Sequence, residues 1–328
     1  FDDMSLLVNL GGWQTAQIDS VGKVATSDCD GPAGVNNFIT GTYGTPYPTE
    51  VLMAQTWNTD LLYDLGLAMG QEYADVNNYG VYGPAMNTHR SAFAGRNFEY
   101  YSEDGVLAGK LAAAQVSAMA TKGTYNYIKH FALNDQETNR CAFLLTYSNE
   151  QAIREIYLKP FELCIKNFDG TQIAVMSSFN WIGTVPACAN EDTLTTILRN
   201  EWGFQGMVIT DYDGSYGYMI TDNCVRAGND LMLGFNYQES NQLTNTESAT
   251  LNNALRTSCK NIMYTVANSG YYTNATDDGG MSNMTKLFVT IDVVTVLLVV
   301  LCMALVIVRY RKKHAKAAEV TPEEKKEE

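Results

Sequence analysis

From about residue 20 to 235, short apolar or aromatic runs give way to polar clusters and then to segments of helical periodicity. The runs at 23–27, 79–84, 125–128, 172–176 and 207–210 read as strands, and 230–233 is a candidate sixth. Between them, 105–121 is rich in Ala and Leu, 149–167 has apolar residues at helical spacing broken at Pro160, and 193–200 is a further helical stretch. Strands alternating with helices predict a parallel sheet with right-handed crossovers. Strand after strand ending in polar side chains predicts an α/β fold of the (β/α)8 TIM-barrel type, regular or irregular, with its site at the C-terminal face. The rival is a doubly wound open sheet, which wants a Gly-rich phosphate loop after its first strand. The segment Asp30-Gly31-Pro32-Ala33-Gly34 is too proline-bound for that role.

A second pattern begins at 287. Residues 287–308 form an apolar run interrupted only by Thr290, Asp292 and Thr295, followed by Arg309, Arg311, Lys312, Lys313 and Lys316. At about 1.5 Å per residue the run can cross a hydrocarbon core of roughly 30 Å. The basic cluster places the 309–328 tail in the cytoplasm, and 1–270 outside it, by the positive-inside rule. Residues 271–286 have the small, polar makeup of a linker. The chain opens at Phe1 with no apolar leader, which an exported domain needs, so the expectation is a C-terminal part of a longer membrane-anchored protein.

Composition sharpens this division. With 46% hydrophobic and 18% charged residues in 328, the chain has ample material for a core. Its net charge of -14 excludes a general nucleic-acid binder, which needs a basic footprint. Six Cys precede the apolar run, at 29, 141, 164, 188, 224 and 259, without metal-type spacing, and read mostly as buried thiols. No cofactor or metal is expected.

Collected at one end of a sheet, the polar clusters offer Asp30, Arg96, Lys129, His130, Arg140 and Asp211. Cations among carboxylates suit an uncharged, polyhydroxylated ligand, because charged groups make strong hydrogen bonds to hydroxyls. The same cations are expected to hold a buried carboxylate low and ionised, as a nucleophile needs. Glu99, Glu103, Asp104 and Glu137 read as orienting partners or helix caps, and Trp181 as a core residue or a sugar platform.

These residues stand in DGPAG (30–34), GRNFEYYSEDG (95–105), KHFALNDQETNR (129–140), VMSSFN (175–180) and LRNEWGFQGMVITDY (198–212). In order and spacing the set resembles the barrel domain of glycoside hydrolase family 3. The resemblance implies a nucleophile at Asp211 and sugar contacts at Asp30, Arg96, Lys129, His130 and Arg140. Met176 would line the pocket, and Tyr212 would offer an aromatic face. Asn36, Phe179 and Tyr212 stand where many relatives have Arg, Tyr and Trp.

A retaining glycosidase needs a second carboxylic acid about 5–5.5 Å from the nucleophile. One branch of the family uses an Asp/His pair after the KHF motif, but no His follows His130 before His314. The resemblance therefore implies an acid/base residue from an α/β sandwich domain ahead of residue 1. The expected activity is that of a retaining, exo-acting β-glycosidase, foremost a β-glucosidase, acting on an oligosaccharide or glycoside. The alternatives are a β-xylosidase, a β-N-acetylglucosaminidase or a non-catalytic surface protein that binds carbohydrate.

Overall fold

The computed structural model describes residues 1–213, 216–234, 243, 245–273 and 283–319. It divides into two units, Phe1–Asp277 and Asp278–Glu328.

The first unit is built on one row of strands. In chain order these are β1 (Asp28–Asp30), β2 (Asn36–Asn37), β3 (Thr42–Tyr43), β4 (Gly80–Tyr82), β5 (Tyr125–Phe131), β7 (Ile173–Ser177) and β10 (Val208–Ile209). They lie in the order β10-β7-β5-β4-β1-β2-β3, with β1, β4, β5, β7 and β10 parallel and the β2–β3 hairpin antiparallel on the edge. Leu231 extends the other edge by a single parallel bridge to Ile209, at the predicted sixth strand. A small separate sheet joins β6 (Leu145–Thr146), β8 (Trp181–Ile182) and β9 (Val185–Pro186).

The expected closed ladder of eight strands is not formed among the described residues. Instead the end of α1 (Asp2–Asn9) and the irregular chain after it, 8–15, run from the Leu231 edge to β1, the outermost parallel strand on the other side. The Met232 N–H donates to Val8 O, the Gly11 N–H to Met232 O, and the Asp28 N–H to Trp13 O. The first parallel strand also starts later than the 23–27 expected, at Asp28, and so contains Asp30 itself.

Both faces of the row are buried, which is why the strands read as continuous apolar runs. Alternation sorts the side chains. Ile173, Val175 and Val208 face one cluster with Leu111, Val116, Phe161 and Leu198; Ala174, Met176, Met207 and Ile209 face another with Tyr82, Tyr125, Tyr127, Leu255 and Ile262. The first cluster is covered by α3 (Thr59–Asp75), α4 (Gly105–Ala120), α6 (Lys159–Asn167) and the π-helical segment Asp192–Glu201. The second is covered by α1 (Asp2–Asn9) and α8 (Ala249–Ala267). Helix α4 starts where Asp104 accepts from the Val106 and Leu107 N–H groups at 2.8 and 3.3 Å. The predicted helix at 149–167 is broken into a short turn, the π segment Ile153–Tyr157 and α6, with Pro160 in the first turn of α6 where its missing N–H costs nothing.

At the N-terminal end of the parallel strands a polar knot fills the interior. Asp28 is fully buried and accepts from Tyr125, from Tyr127 at 2.8 Å and from Thr26 at 3.3 Å. Burial pushes its carboxyl up, against the pull of those hydroxyls and of Lys23. Lys23 is itself lowered to about 8 by burial, opposed by Asp28.

In the second unit, α10 (Asn283–Glu319) is one continuous helix, longer than the predicted 287–308. Its segment Leu287–Lys312 is long and apolar enough to cross a membrane, with apolar side chains exposed all round. The predicted linker at 271–286 falls partly in α9 (Gly270–Thr273) and the start of α10; 274–282 lie outside the described residues.

Strand β10 depends on a close approach. A Cβ at Gly206 would sit 1.9 Å from the Ile173 carbonyl oxygen, so one of the two chains must move. Gly206→Ala is expected to cost about 1–3 kcal/mol as overpacking does, read as a lower melting temperature of the full chain. An unchanged melting temperature would contradict this account of how β10 docks.

Candidate functional site

The C-terminal ends of β1, β5, β7 and β10 meet at one place. Strand β5 contributes most because its register is irregular: it matches β7 as far as Ile128 opposite Val175, then shifts so that Phe131 faces Ser177. Such an irregularity breaks the alternation that would send Lys129 and His130 to opposite faces. Asn87 clasps the backbone there, its Nδ2 donating to His130 O and its Oδ1 accepting from the His130 N–H, both at 2.8 Å.

From β5 an unbroken chain of charges leads to Asp211. Lys129 Nζ lies 3.2 Å from Glu99 Oε1; Glu99 Oε2 receives Arg96 Nε at 2.6 Å and Nη2 at 2.5 Å. Arg96 Nη1 is 3.7 Å from Glu137 Oε1, whose other oxygen takes Arg140 Nε at 3.1 Å. Arg140 Nη1 then stands 3.8 Å from Asp211 Oδ2, with His130 Nε2 3.7 Å from the same oxygen. Glu99 and Glu137 thus orient cations, as their sequence positions suggested, and Asp104 caps a helix.

Burial decides the protonation states. His130 is held well below its ordinary 6.5 by burial, and then by Arg96, Lys129 and Arg140, so its ring is neutral. Its Nε2 faces Arg96 Nη1 at 3.3 Å, and a guanidinium can only donate. The proton is therefore assigned to Nδ1, which faces the Tyr100 hydroxyl at 3.3 Å; that hydroxyl donates on to Asn134 O. The contact between His130 and Asp211 is consequently not an ion pair.

For Asp211 the sequence-based expectation is overturned. Burial raises its carboxyl above the usual range, despite the opposing pull of Arg140, the Tyr212 N–H at 2.7 Å, Arg96 and Lys129. The cations are already engaged by Glu99 and Glu137, and Oδ2 accepts no hydrogen bond. Glu99 shows the opposite balance. Burial works against its charge, but Lys129 and Arg96 outweigh it and hold the carboxyl low.

Asp30, Met176 and Tyr212 adjoin this chain of charges without joining it. Asp30 is half-buried, accepts from Trp13 Nε1 at 3.4 Å, and lines a hollow of about 340 Å³ together with Glu50 and Glu99. Trp13 in turn lies 6.0 Å from the Tyr212 ring, centroid to centroid. Met176 is buried in register with Ile209, two residues before Asp211.

The contacts of several residues around the site were not legible in the sequence. Phe179 lies beneath Arg140, whose guanidinium carbon is 4.5 Å from the ring centroid, a cation–π contact. Trp181 is part of β8 and packs against Phe143 and Tyr218 at 5.4 and 5.6 Å. Asn87 follows the apolar run at 79–84 and Tyr100 lies inside the 95–105 motif, but the sequence assigned a role to neither, and Glu50 had no signal beyond a helix start.

The pH dependence of stability separates the two buried groups. A carboxyl raised in the folded state contributes stability that is complete at acid pH and lost as pH rises through its folded value. Asp211→Asn, which does not titrate, is expected to melt above wild type at pH 7, with the gap closing on acidification. A lowered His works the other way, its stability present above 6.5 and lost as pH falls from there. His130→Asn should therefore flatten the melting-temperature profile below that pH. Profiles parallel to wild type in both variants would refute these assignments.

Comparison with known proteins follows the same residues. The family model described as Glycosyl hydrolase family 3 N terminal domain matches residues 21–262. Beta-glucosidase A of Butyrivibrio fibrisolvens is 42% identical over 223 residues, 68% of this chain and 26% of that protein. Probable beta-glucosidase I of Aspergillus flavus is 34% identical over 232 residues, 70% of this chain and 27% of that protein. Among solved structures, beta-glucosidase 3B from Thermotoga neapolitana in complex with glucose aligns with a TM-score of 0.72 at 31% identity, covering 85% of this chain and 42% of that one. The chain thus spans about a quarter of the length of these curated relatives. A family match over most of the first unit, at the motifs that build its site, means that the chain belongs to glycosyl hydrolase family 3.

Proposed function

We propose that this chain carries the nucleophile and the sugar-gripping half of a retaining, exo-acting β-glycosidase, most simply a β-glucosidase. The observation that carries the reading is Asp211, buried at a strand end with one carboxylate oxygen unbonded and facing Arg140 and His130. An acceptor held in place but not consumed by a hydrogen bond is what attack on an anomeric carbon requires. The relatives named beta-glucosidase, one of them solved with glucose, favour glucose as the glycone.

In this mechanism Lys129, His130, Arg96, Arg140 and Asp30 hold the hydroxyls of the nonreducing sugar over Met176, with Tyr212 beside the ring. Asp211 attacks the anomeric carbon and forms a glycosyl-enzyme while an acid protonates the departing oxygen; water then releases the sugar with the acid's conjugate as base. Asp211 reacts as the anion, so its raised carboxyl works against the first step, and the positive charge that develops at the anomeric carbon is what favours the anion there. Glu99, held low by Lys129 and Arg96, is a poor proton donor, and Glu137 is engaged by Arg96 and Arg140. The acid is assigned to a further α/β sandwich domain of the same protein.

The strands and the chain at 8–15 that links their two edges are read as an irregular barrel of TIM type. Leu287–Lys312 is read as a single-pass anchor in the cell membrane, with the catalytic domain outside the cytoplasm and the basic tail inside.

The test is covalent trapping with a 2-deoxy-2-fluoro β-glucoside bearing a good leaving group, which does not need the acid for the first step. A peptide containing Asp211 is expected to gain the mass of one fluoroglucosyl group, and Asp211→Asn to gain none. Failure to label a folded wild-type protein, which binds the reagent reversibly, would sink the enzyme reading.

A further inference from the structure

One carboxyl beside the site is used by nothing described so far. Glu50 opens the short helix α2 (Glu50–Ala54), is 1% exposed, and has neither oxygen in a well-formed hydrogen bond. Its own N–H, Lys129 and the Ala85 N–H pull the carboxyl down, the two N–H groups without closing a well-formed hydrogen bond. Helix α2 packs against the 3-10 turn Asn97–Glu99, and the charges that face Glu50 are those of Glu99 and Lys129. Tyr101 stands close on the chain leading into α4, and Asp30 lines the same hollow as Glu50 and Glu99. A buried polar group left without partners destabilises the fold, a penalty that a Leu in the same space would avoid.

We propose that Glu50 is a positioning residue: a neutral carboxylic acid that supports the Glu99 carboxylate and thereby fixes Lys129 and Arg96 where a sugar would meet them. The charge count at the site supports this. Within the ion-paired chain, Lys129, Arg96 and Arg140 face Glu99, Glu137 and Asp211, Asp30 stands outside it in the hollow, and His130 is neutral. A second anion beside Glu99 would break that balance and compete for Lys129, which would then be shared between two carboxylates and drawn from its place. A protonated Glu50 instead has an O–H to donate, and the ionised acceptor near it is Glu99. Burial keeps Glu50 well above the usual carboxyl range, with Glu99 adding to the effect. Both Glu50 oxygens are sealed from solvent, so the group acts through Glu99 and not by touching a ligand.

The sugar-binding part of this inference rests on the proposed glycosidase reading; the state of Glu50 does not. Two readouts therefore need no ligand. In the full chain at neutral pH, the infrared difference spectrum of wild type minus Glu50→Gln should show the C=O band of a protonated carboxyl. The Lys129 Nζ resonance should be displaced in Glu50→Leu and return to its wild-type position in Glu50→Gln, which keeps a neutral donor. Glucose affinity by calorimetry is expected to fall about tenfold in Glu50→Leu and to be recovered in Glu50→Gln. At alkaline pH, wild type should lose affinity as Glu50 ionises while Glu50→Gln keeps it. No protonated-carboxyl band, or a Glu50→Leu protein with wild-type Lys129 and glucose affinity, overturns the proposal. If Glu50→Leu does not fold, a Glu50→Gln protein with the wild-type alkaline loss overturns it equally. Band and Lys129 shift in a protein that binds no glucose would uphold Glu50's role and count against the glycosidase reading alone.

Discussion

A carboxylate kept out of water at the end of a parallel strand is the constraint around which the first unit is arranged. Asp211 cannot be ionised there without cations, and cations in a dry site cannot stand without carboxylates of their own. The sequence of pairs from Lys129 through Glu99, Arg96, Glu137 and Arg140 to Asp211 is the resolution of that requirement. Its cost appears in the direction of the Asp211 carboxyl, which burial raises although three cations oppose it. Under the proposed reading, reactivity and stability pull against each other at this one side chain.

The rest of the unit holds the ends of that chain at fixed distances. Parallel strands buried on both faces give the ends of β1, β5, β7 and β10 a common level, and the irregularity in β5 turns two successive side chains into the site. At the opposite end of the strands, Asp28 is gripped by two tyrosines and a threonine that project from β5 and the chain before β1. The two polar centres are alike in burial and different in use. The lower one satisfies its carboxylate with neutral hydroxyls, the upper one leaves an oxygen of Asp211 unbonded.

Much of this was legible in the chain. Strand positions 79–84, 125–128, 172–176 and 207–210 were marked by short apolar runs, because both faces of these strands are covered. Arg96, Lys129, His130, Arg140 and Asp211 were marked by their place after or late in such runs. The first strand was misplaced because 23–27 looks apolar while the ladder forms through Asp28, Cys29 and Asp30, two of them charged. No local pattern announces that Asp28 accepts hydrogen bonds from Tyr125 and Tyr127, far along the chain. The link at 8–15 was equally hidden: it reaches Met232 and Asp28 through isolated backbone hydrogen bonds, forms no ladder, and has no strand periodicity to betray it. Glu50 reads as an ordinary acidic first-turn residue, and only its burial beside Glu99 and Lys129 distinguishes it. The expected low carboxyl at Asp211 failed because sequence counts cations without showing which of them are already engaged.

The pairing of every cation in the site also governs how molecules arrive there. Since Lys129, Arg96 and Arg140 are each matched by a carboxylate a few ångströms away, their fields cancel beyond the first layer of solvent. Around them lies a unit of strongly acidic composition. A uronic acid or a phosphorylated sugar therefore meets repulsion on approach and no uncompensated cation at the end of it. Under the proposed reading, neutral glycosides would be drawn in by contact alone, at a rate that ionic strength scarcely alters.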